Sequence, residues 1–306
     1  MSGYFAGRLL ESLVAILGVL TIVFIAARLT GDPAVLLLPI SATDADIARM
    51  RQELGLDRPL LEQYLAFLAD VLRGDFGVSF EHHRPAMQVV LERLPATFEL
   101  AGVALLIGAA VGIAAGLVAA LARGTVLELI AMGVALIGQA TPIFWLGIVL
   151  ILVFAVELQW LPAGGRGGLD HIILPAITLA TFTTASIARL LRSSMIEVLK
   201  EDYIRTAWAK GLVPRIVYLR HAARNALIPV ITMIGILAGE LFSGAVVTET
   251  IFSWPGVGRV VVQAIETKDF AVVQAGVTVI SVIFIGFNLL VDLLYGLVDP
   301  RIRIAS

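Results

Sequence analysis

Ala96-Thr-Phe-Glu-Leu-Ala-Gly-Val-Ala-Leu-Leu-Ile-Gly-Ala-Ala-Val-Gly-Ile-Ala-Ala-Gly-Leu-Val-Ala-Ala-Leu-Ala122 is an apolar run longer than a bilayer demands. The hydrocarbon core takes about 20 mostly apolar residues per helix. Within the run, Gly108, Gly112 and Gly116 recur every fourth residue, which places them on one helix face and lets a second backbone approach closely. The plainer use of that stripe is close packing inside one chain. Five further runs of similar character lie around it, at residues 9–29, 127–156, 172–191, 226–248 and 273–298. Thr141-Pro142 interrupts the run at 127–156. Backbone groups in lipid must be satisfied within the segment, so these runs are expected to be helices rather than strands. The expectation is an all-α integral membrane protein with six transmembrane helices.

Composition agrees. Of 306 residues, 59% are hydrophobic and 15% charged, and the mean hydropathy is +0.95; a soluble domain is about half apolar and about a quarter charged. The net charge of −2 gives no basis for nucleic-acid binding. Cysteine is absent, which excludes disulfides and thiolate metal sites. The first apolar run is followed by Arg28-Leu-Thr-Gly-Asp-Pro33, with no small-x-small cleavage signal, so it is expected to remain as a spanning helix rather than leave as a signal peptide.

An even number of spans puts both termini on one side. Arg8, Arg123, residues 189–224, Arg301 and Arg303 share it, and the positive-inside rule makes it cytoplasmic. Arg166, Arg259, Lys268 and the long segment 31–95 fall on the other side. That segment carries several arginines, but loops longer than about 60 residues escape the rule. The chain thus divides into a first span (1–30), an extracytoplasmic loop (31–95) and a five-helix core (96–306).

Both non-spanning segments carry helical patterns. Asp44–Leu54 has a polar start and ends at Gly55; residues 59–72 place Leu61, Leu65, Leu68 and Leu72 on one stripe; Gly74-Asp-Phe-Gly77 reads as a turn; residues 85–94 form a short helix leading into Pro95. Such helices can cap the bundle or receive a partner. The cytoplasmic segment holds eight basic residues (Arg189, Arg192, Lys200, Arg205, Lys210, Arg215, Arg220, Arg224) against three acidic ones (Glu197, Glu201, Asp202). Lipid headgroup contact is one use of such an excess. The segment is also ordered: residues 201–210 read as a helix, Gly211 as its cap, and Pro214 as the start of another helix.

Glu201-Asp-Tyr-Ile-Arg-Thr-Ala-Trp-Ala-Lys-Gly-Leu212, continuing to Arg220-His-Ala-Ala-Arg-Asn-Ala-Leu-Ile-Pro229, resembles the cytoplasmic coupling loop of peptide-type ABC importer permeases. Further matches to that family are Gly31-Asp-Pro33, Leu54-Gly-Leu-Asp-Arg-Pro-Leu60, Arg73-Gly-Asp-Phe-Gly77, Arg93-Leu-Pro-Ala-Thr97, Glu249-Thr-Ile-Phe-Ser-Trp-Pro-Gly-Val-Gly258 and Asp299-Pro-Arg-Ile-Arg303. The likeness is to the first of the two paired permeases in dipeptide, oligopeptide, glutathione and nickel systems. It implies a type I ABC importer permease bundle in a bacterial or archaeal cytoplasmic (inner) membrane. It also implies a second homologous permease, two ATP-binding subunits and an extracytoplasmic substrate-binding protein. The coupling loop would span 192–224, and Tyr203, Arg205, Thr206, Ala207, Lys210, Gly211 and Leu212 would dock on an ATPase subunit. The family's motif begins Glu-Ala-Ala and has Gly after three more residues; here Arg205-Thr206-Ala207 precedes Trp208-Ala209-Lys210 and Gly211, so Arg205 stands at the acidic position. In this reading Gly211 forms a turn that admits no side chain, and Ala207 suits close helix contact.

The chain contains no Gly-rich run ending in Gly-Lys-Ser/Thr, the signature of phosphate-cradling loops. It is therefore read as a transporter subunit and not an enzyme, with no cofactor of its own; ATP and Mg²⁺ belong to its partners. His-Glu-x-x-His and Gly-x-Ser-x-Gly are absent too. An ion-coupled secondary transporter is the rival reading, but the ordered basic segment has no role in it and no internal repeat is evident. Glu240, Gln139 and Thr141 are the candidates for the translocation path, since polar groups within spans are costly and functional by default. Asp292 is expected to pair with Arg301 or Arg303 near the cytoplasmic end. The adjacent His82 and His83 do not share a face and are read as solvated rather than metal-binding; His171 and His221 are read as interface or capping residues.

Overall fold

The computed structural model describes residues 2–31, 33–36, 38 and 42–298. Described residues are almost entirely helical, and the one β feature among them is an isolated bridge between Val78 and Pro85. Five single helices are long and apolar enough to cross a membrane, and one broken pair raises the number to six. The chain divides into two compact units, one reaching Thr97 and adding Pro255–Leu289, the other holding Phe98–Trp254 and the chain after Leu289.

In the first unit, α1 (Ser2–Thr30) is a long apolar helix, followed by α2 (Pro33–Leu36), α3 (Asp44–Glu53) and α4 (Leu60–Leu72). The start of α3 is a reciprocal cap. The Thr43 hydroxyl accepts from the Asp46 N–H while the Asp46 carboxylate accepts from the Thr43 N–H. That pairing fills two of the donors a helix end leaves open. Gly55 ends the helix with φ +64°. The inward face of α4 differs from the leucine stripe. Leu61, Leu65 and Leu72 are exposed, whereas Tyr64 (edge-on) and Phe67 (tilted) pack against Phe24 with ring centroids 5.3 and 5.5 Å away, and Thr21 and Tyr64 hydroxyls bond at 2.6 Å. Apolar residues lie on two sides of this helix, and the aromatic side, with more area to bury, turns inward.

Beyond the turn at Gly74 and Gly77, both with positive φ, α5 runs unbroken from Ala86 to Leu121 through Pro95. The expected stop at Pro95 does not occur. Proline removes one N–H from the ladder, but Val89, Val90, Ala96 and Leu100 are buried on both sides of it. The unit closes with α12 (Val257–Thr267) and the first part of α13 (Phe270–Val298). Val89, Val90, Val257, Val261 and Val272 form its core with Phe76. A second tie is polar. The buried Asp269 caps α13 at the Val272 N–H and accepts from Ser79 Oγ, while Thr267 Oγ1 donates to Glu81.

In the second unit, α5 packs on α8 (Leu169–Val198) through its glycines. A Cβ at Gly112 would lie 2.8 Å from the Thr184 oxygen, and one at Gly116 would lie 2.6 Å from the Ala188 oxygen. The stripe is thus an intrachain seam. Between them lie α6 (Val126–Ala140) and α7 (Ile143–Leu150), the latter continuing as a π-helical stretch, Ile151–Glu157. The expected single span is bent by 107° at Thr141-Pro142. Pro142 supplies no N–H, and the non-helical backbone at both residues turns the chain instead of merely kinking it. Helix α8 extends to Val198, so Arg189 and Arg192 are helical residues rather than loop residues. After the short α9 (Asp202–Ala209), helix resumes in α10 (Pro214–Ile216), passes through a second π-helical stretch, Val217–Ala223, and continues as α11 (Arg224–Ile251). Phe252 and Trp254 are fully buried after α11, and the Phe252 carbonyl accepts the Gly165 N–H at 2.8 Å. The motif Asp299–Arg303 and the Asp292 side chain, with its expected partners, lie outside the described residues.

Candidate coupling helix and polar residues of the spans

Helix α9 has two faces of opposite character. Ile204 and Ala207, three apart, are buried at 0% and 6% exposure in a cluster with Ile187, Leu191 and Met195 of α8 and with Val217, Ala222 and Ala226. Tyr203, Arg205, Thr206, Trp208, Lys210 and Gly211 are exposed, and Leu212 is half-buried. The i, i+3 spacing of one small and one branched apolar residue suffices to seat a two-turn helix.

Its ends are tied. Asn225 donates to the Tyr203 hydroxyl at 2.7 Å, and Trp208 meets Tyr218 edge-on at 5.7 Å. The C-terminus closes as a Schellman motif, with the Gly211 N–H on the Trp208 carbonyl (2.9 Å) and the Leu212 N–H on the Ala207 carbonyl (3.3 Å). Gly211 has φ +72°, yet nothing lies within 4 Å of the position its Cβ would take. The glycine is required by backbone angle and not by crowding within this chain. Arg205 pairs with Asp202 at 3.2 Å; both side chains are largely in solvent, where such pairs contribute about 0–1 kcal/mol.

Two basic residues of α8 that precede the helix are engaged elsewhere in the bundle. Arg192 bonds Glu128 through Nε at 2.7 Å, and Arg189 donates to Gln139 Oε1 at 2.9 Å. These two contacts strap α8 to α6, and their partners lie 64 and 50 residues away in sequence. Sequence reading counted both arginines into the cytoplasmic basic excess and missed the straps; Glu128, alone in an apolar run, was the available signal.

Of the path candidates, Gln139 is thus held by Arg189. Thr141 Oγ1 donates back to the Ile137 carbonyl at 2.7 Å, beside the 107° corner. Glu240 lies at a hollow of about 210 Å³ lined by Ile143, Leu179, Phe182, Thr183 and Gly244. Among these three, only Gln139 and Thr141 are sequence neighbours of the corner. His171 Nδ1 bonds the Gly164 carbonyl at 3.0 Å, a local cap. His82 Nδ1 lies 3.1 Å from Ser79 Oγ, and Glu81, His82 and Asp269 bring three potential metal donors within 4.8 Å of one another. His83, with φ 52°, is exposed and outside that group.

The family model described as binding-protein-dependent transport system inner membrane component matches residues 112–304. It covers α6 to α13, α9 included. The chain belongs to this family. A companion model for the N-terminal part of such membrane components matches residues 1–101 of the permease. The permease is 39% identical to a dipeptide transport system permease of Alkalihalophilus pseudofirmus, covering 99% of this chain and all of the relative. It is 43% identical to a glutathione transport system permease of Pectobacterium atrosepticum, covering 99% of both chains. It is also 43% identical to the dipeptide permease of Escherichia coli K12 over 84% of this chain and 85% of that one. Among solved structures, an amino acid ABC transporter (TM-score 0.54, 16% identity, 68% of this chain and 92% of the other) and the methionine transporter MetNI in an inward-facing form (TM-score 0.52, 16% identity, 67% and 95%) share the fold. The protein is a multi-pass inner-membrane permease subunit of an ABC importer, and membership of this family sets aside the ion-coupled carrier.

Proposed function

We propose that this permease forms, with a homologous second permease, the path by which di- or oligopeptides enter the cell, driven by two separate ATPase subunits and supplied by an extracytoplasmic binding protein. The observation that carries the reading is the two-faced α9. Ile204 and Ala207 root it in the bundle, and the face bearing Tyr203, Arg205, Thr206 and Lys210 is left uncovered. A helix so rooted transmits displacement, because a push on its free face moves the buried cluster with α8 and α11. ATP and Mg²⁺ are held by the partners, since no phosphate-cradling loop occurs in this chain. With α9 cytoplasmic, both termini are cytoplasmic and residues 31–95 face outward, consistent with the basic bias of residues 189–224.

A zwitterionic solute cannot cross hydrocarbon unaided, a central charge costing at least about 2.5–3.5 kcal/mol. Alternating access supplies a wet route. Closure of the ATPase pair moves α9 outward-opening the spans, and hydrolysis resets them. Glu240 at its hollow, with Gln139 and Thr141 at the broken span, line this route. The dipeptide and glutathione names of the relatives support a peptide-like solute over nickel chelates or oligosaccharides. The test is reconstitution in proteoliposomes with both permeases and both ATPases. ATP-dependent uptake of a dipeptide that requires the binding protein is expected; uptake at full rate with no ATPase present refutes the reading.

A further inference from the structure

The first unit holds a cavity of about 380 Å³ between α1, α3, α4 and α13, within the range of small-molecule sites. Cations and anions both border it: Arg28 and Arg58 on one hand, Glu53, Asp70 and Asp75 on the other. Gln63 also lines it and is 8% exposed. Its Nε2 donates to two carbonyls, Leu56 at 3.1 Å and Arg58 at 2.8 Å. Those two acceptors fix the orientation of the amide, so the remaining atom is the carbonyl Oε1, which is buried and has no hydrogen-bond partner among the described residues. A buried acceptor left unpaired is rare in folded proteins and calls for a donor from outside.

The elements around the cavity are well held. The Arg58 side chain lies across Gly55, its Nε 3.5 Å from the position of a Cβ there, and the Asp75 carboxylate is fixed by the Gly77 N–H at 2.9 Å. Phe67 and Phe76, in edge contact at 6.5 Å, supply an apolar wall. An inorganic anion would meet three carboxylates, and a simple cation would meet two guanidinium groups. A molecule carrying an ammonium and a carboxylate satisfies both sets and offers N–H groups to Gln63. We propose that this cavity binds a small zwitterion of amino-acid or dipeptide size. The choice of a dipeptide as probe rests on the peptide reading above.

The experiment is calorimetric titration of the purified full chain in nanodiscs with glycylglycine, N-acetylglycylglycine and glycylglycinamide. Saturable binding of glycylglycine is expected, at least tenfold weaker when either end is capped. Arg58→Gln and Asp70→Asn should each weaken it at least tenfold; both side chains reach solvent, and unchanged helix content by circular dichroism verifies the fold. No saturable binding to the unmodified chain overturns the proposal, as does equal binding by both folded variants, or equal binding of the capped and free dipeptides. ATP-dependent dipeptide uptake without this binding refutes the cavity alone. Binding without such uptake supports the cavity and refutes the peptide-importer reading.

Discussion

Replacing Gly116 by alanine tests the seam between α5 and α8 with the smallest possible change. The new carbon would lie 2.6 Å from the Ala188 carbonyl oxygen, 3.0 Å from Leu191 Cβ and 3.1 Å from Ala188 Cα, where ordinary contact begins at 3.4 Å. The helices must part by roughly 0.8 Å at that point, a gap that forfeits a quarter to a half of each neighbouring contact. Overpacking of this kind costs roughly 1–3 kcal/mol, and alanine recovers about 0.5–1 kcal/mol over glycine in a helix interior. Because the blocking atom is a backbone oxygen that cannot turn aside, the cost falls in the upper part of that range, about 2–3 kcal/mol, and the net loss is about 1–2.5 kcal/mol. Gly112→Ala meets the Thr184 carbonyl at 2.8 Å and should behave alike, whereas the atom nearest a Cβ at Gly108 is the Thr183 hydroxyl, which a second substitution can remove. Unfolding free energies from SDS titration in mixed micelles, followed by tryptophan fluorescence, provide the readout. Thr183→Ala should rescue Gly108→Ala and leave Gly116→Ala unimproved. Wild-type stability of Gly116→Ala, or rescue of both by Thr183→Ala, refutes the seam.

Three other outcomes are expected. Gly211→Ala and Gly211→Trp each carry the left-handed backbone penalty of about 1–2 kcal/mol and both fold, because the space around Gly211 is open; ATP-driven uptake should survive the first and be lost in the second, and unchanged uptake in the tryptophan variant sinks the docking assignment. Gly164→Ala drives a Cβ to 2.2 Å from the Phe252 oxygen, which already accepts the Gly165 N–H, so a thermal melt should show a loss of roughly 2–3 kcal/mol. The Thr43 hydroxyl and N–H hold the Asp46 carboxyl below its ordinary pKa; its contribution to α3 is therefore present above the unfolded value of about 3.9 and lost as pH falls through the lower folded value. Amide protection across Asp44–Glu53, corrected for the pH dependence of intrinsic exchange, should fall in that acid window, and Asp46→Asn should abolish the pH dependence.

What was legible in the sequence follows from the range of each interaction. The apolar runs are statements about solvent and stand without knowledge of the fold. Gly211 and the limits of α9 were readable because a Schellman end is written within six residues. The inward face of α4 was not, since Leu61 and Tyr64 belong to two apolar stripes and only Phe24, far back in α1, decides between them. Pro95 carries a local signal to stop that burial of Val90 and Ala96 overrides. Arg192 with Glu128, and Ser79 with Asp269, join residues 64 and 190 apart, a pairing that no pattern in either segment announces. Of the candidate site, the residues of α9 were named in advance, while the straps that fix Gln139 were not.

The corner at Thr141-Pro142 has a consequence for solvation. A turn of 107° ends one hydrogen-bond ladder and starts another, so the last carbonyls of α6 and the first N–H groups of α7 have no intrahelical partners. Hydrocarbon offers them none, and irregular backbone survives at membrane depth only against protein or water. At membrane depth such an elbow requires protein or water beside it rather than lipid tails.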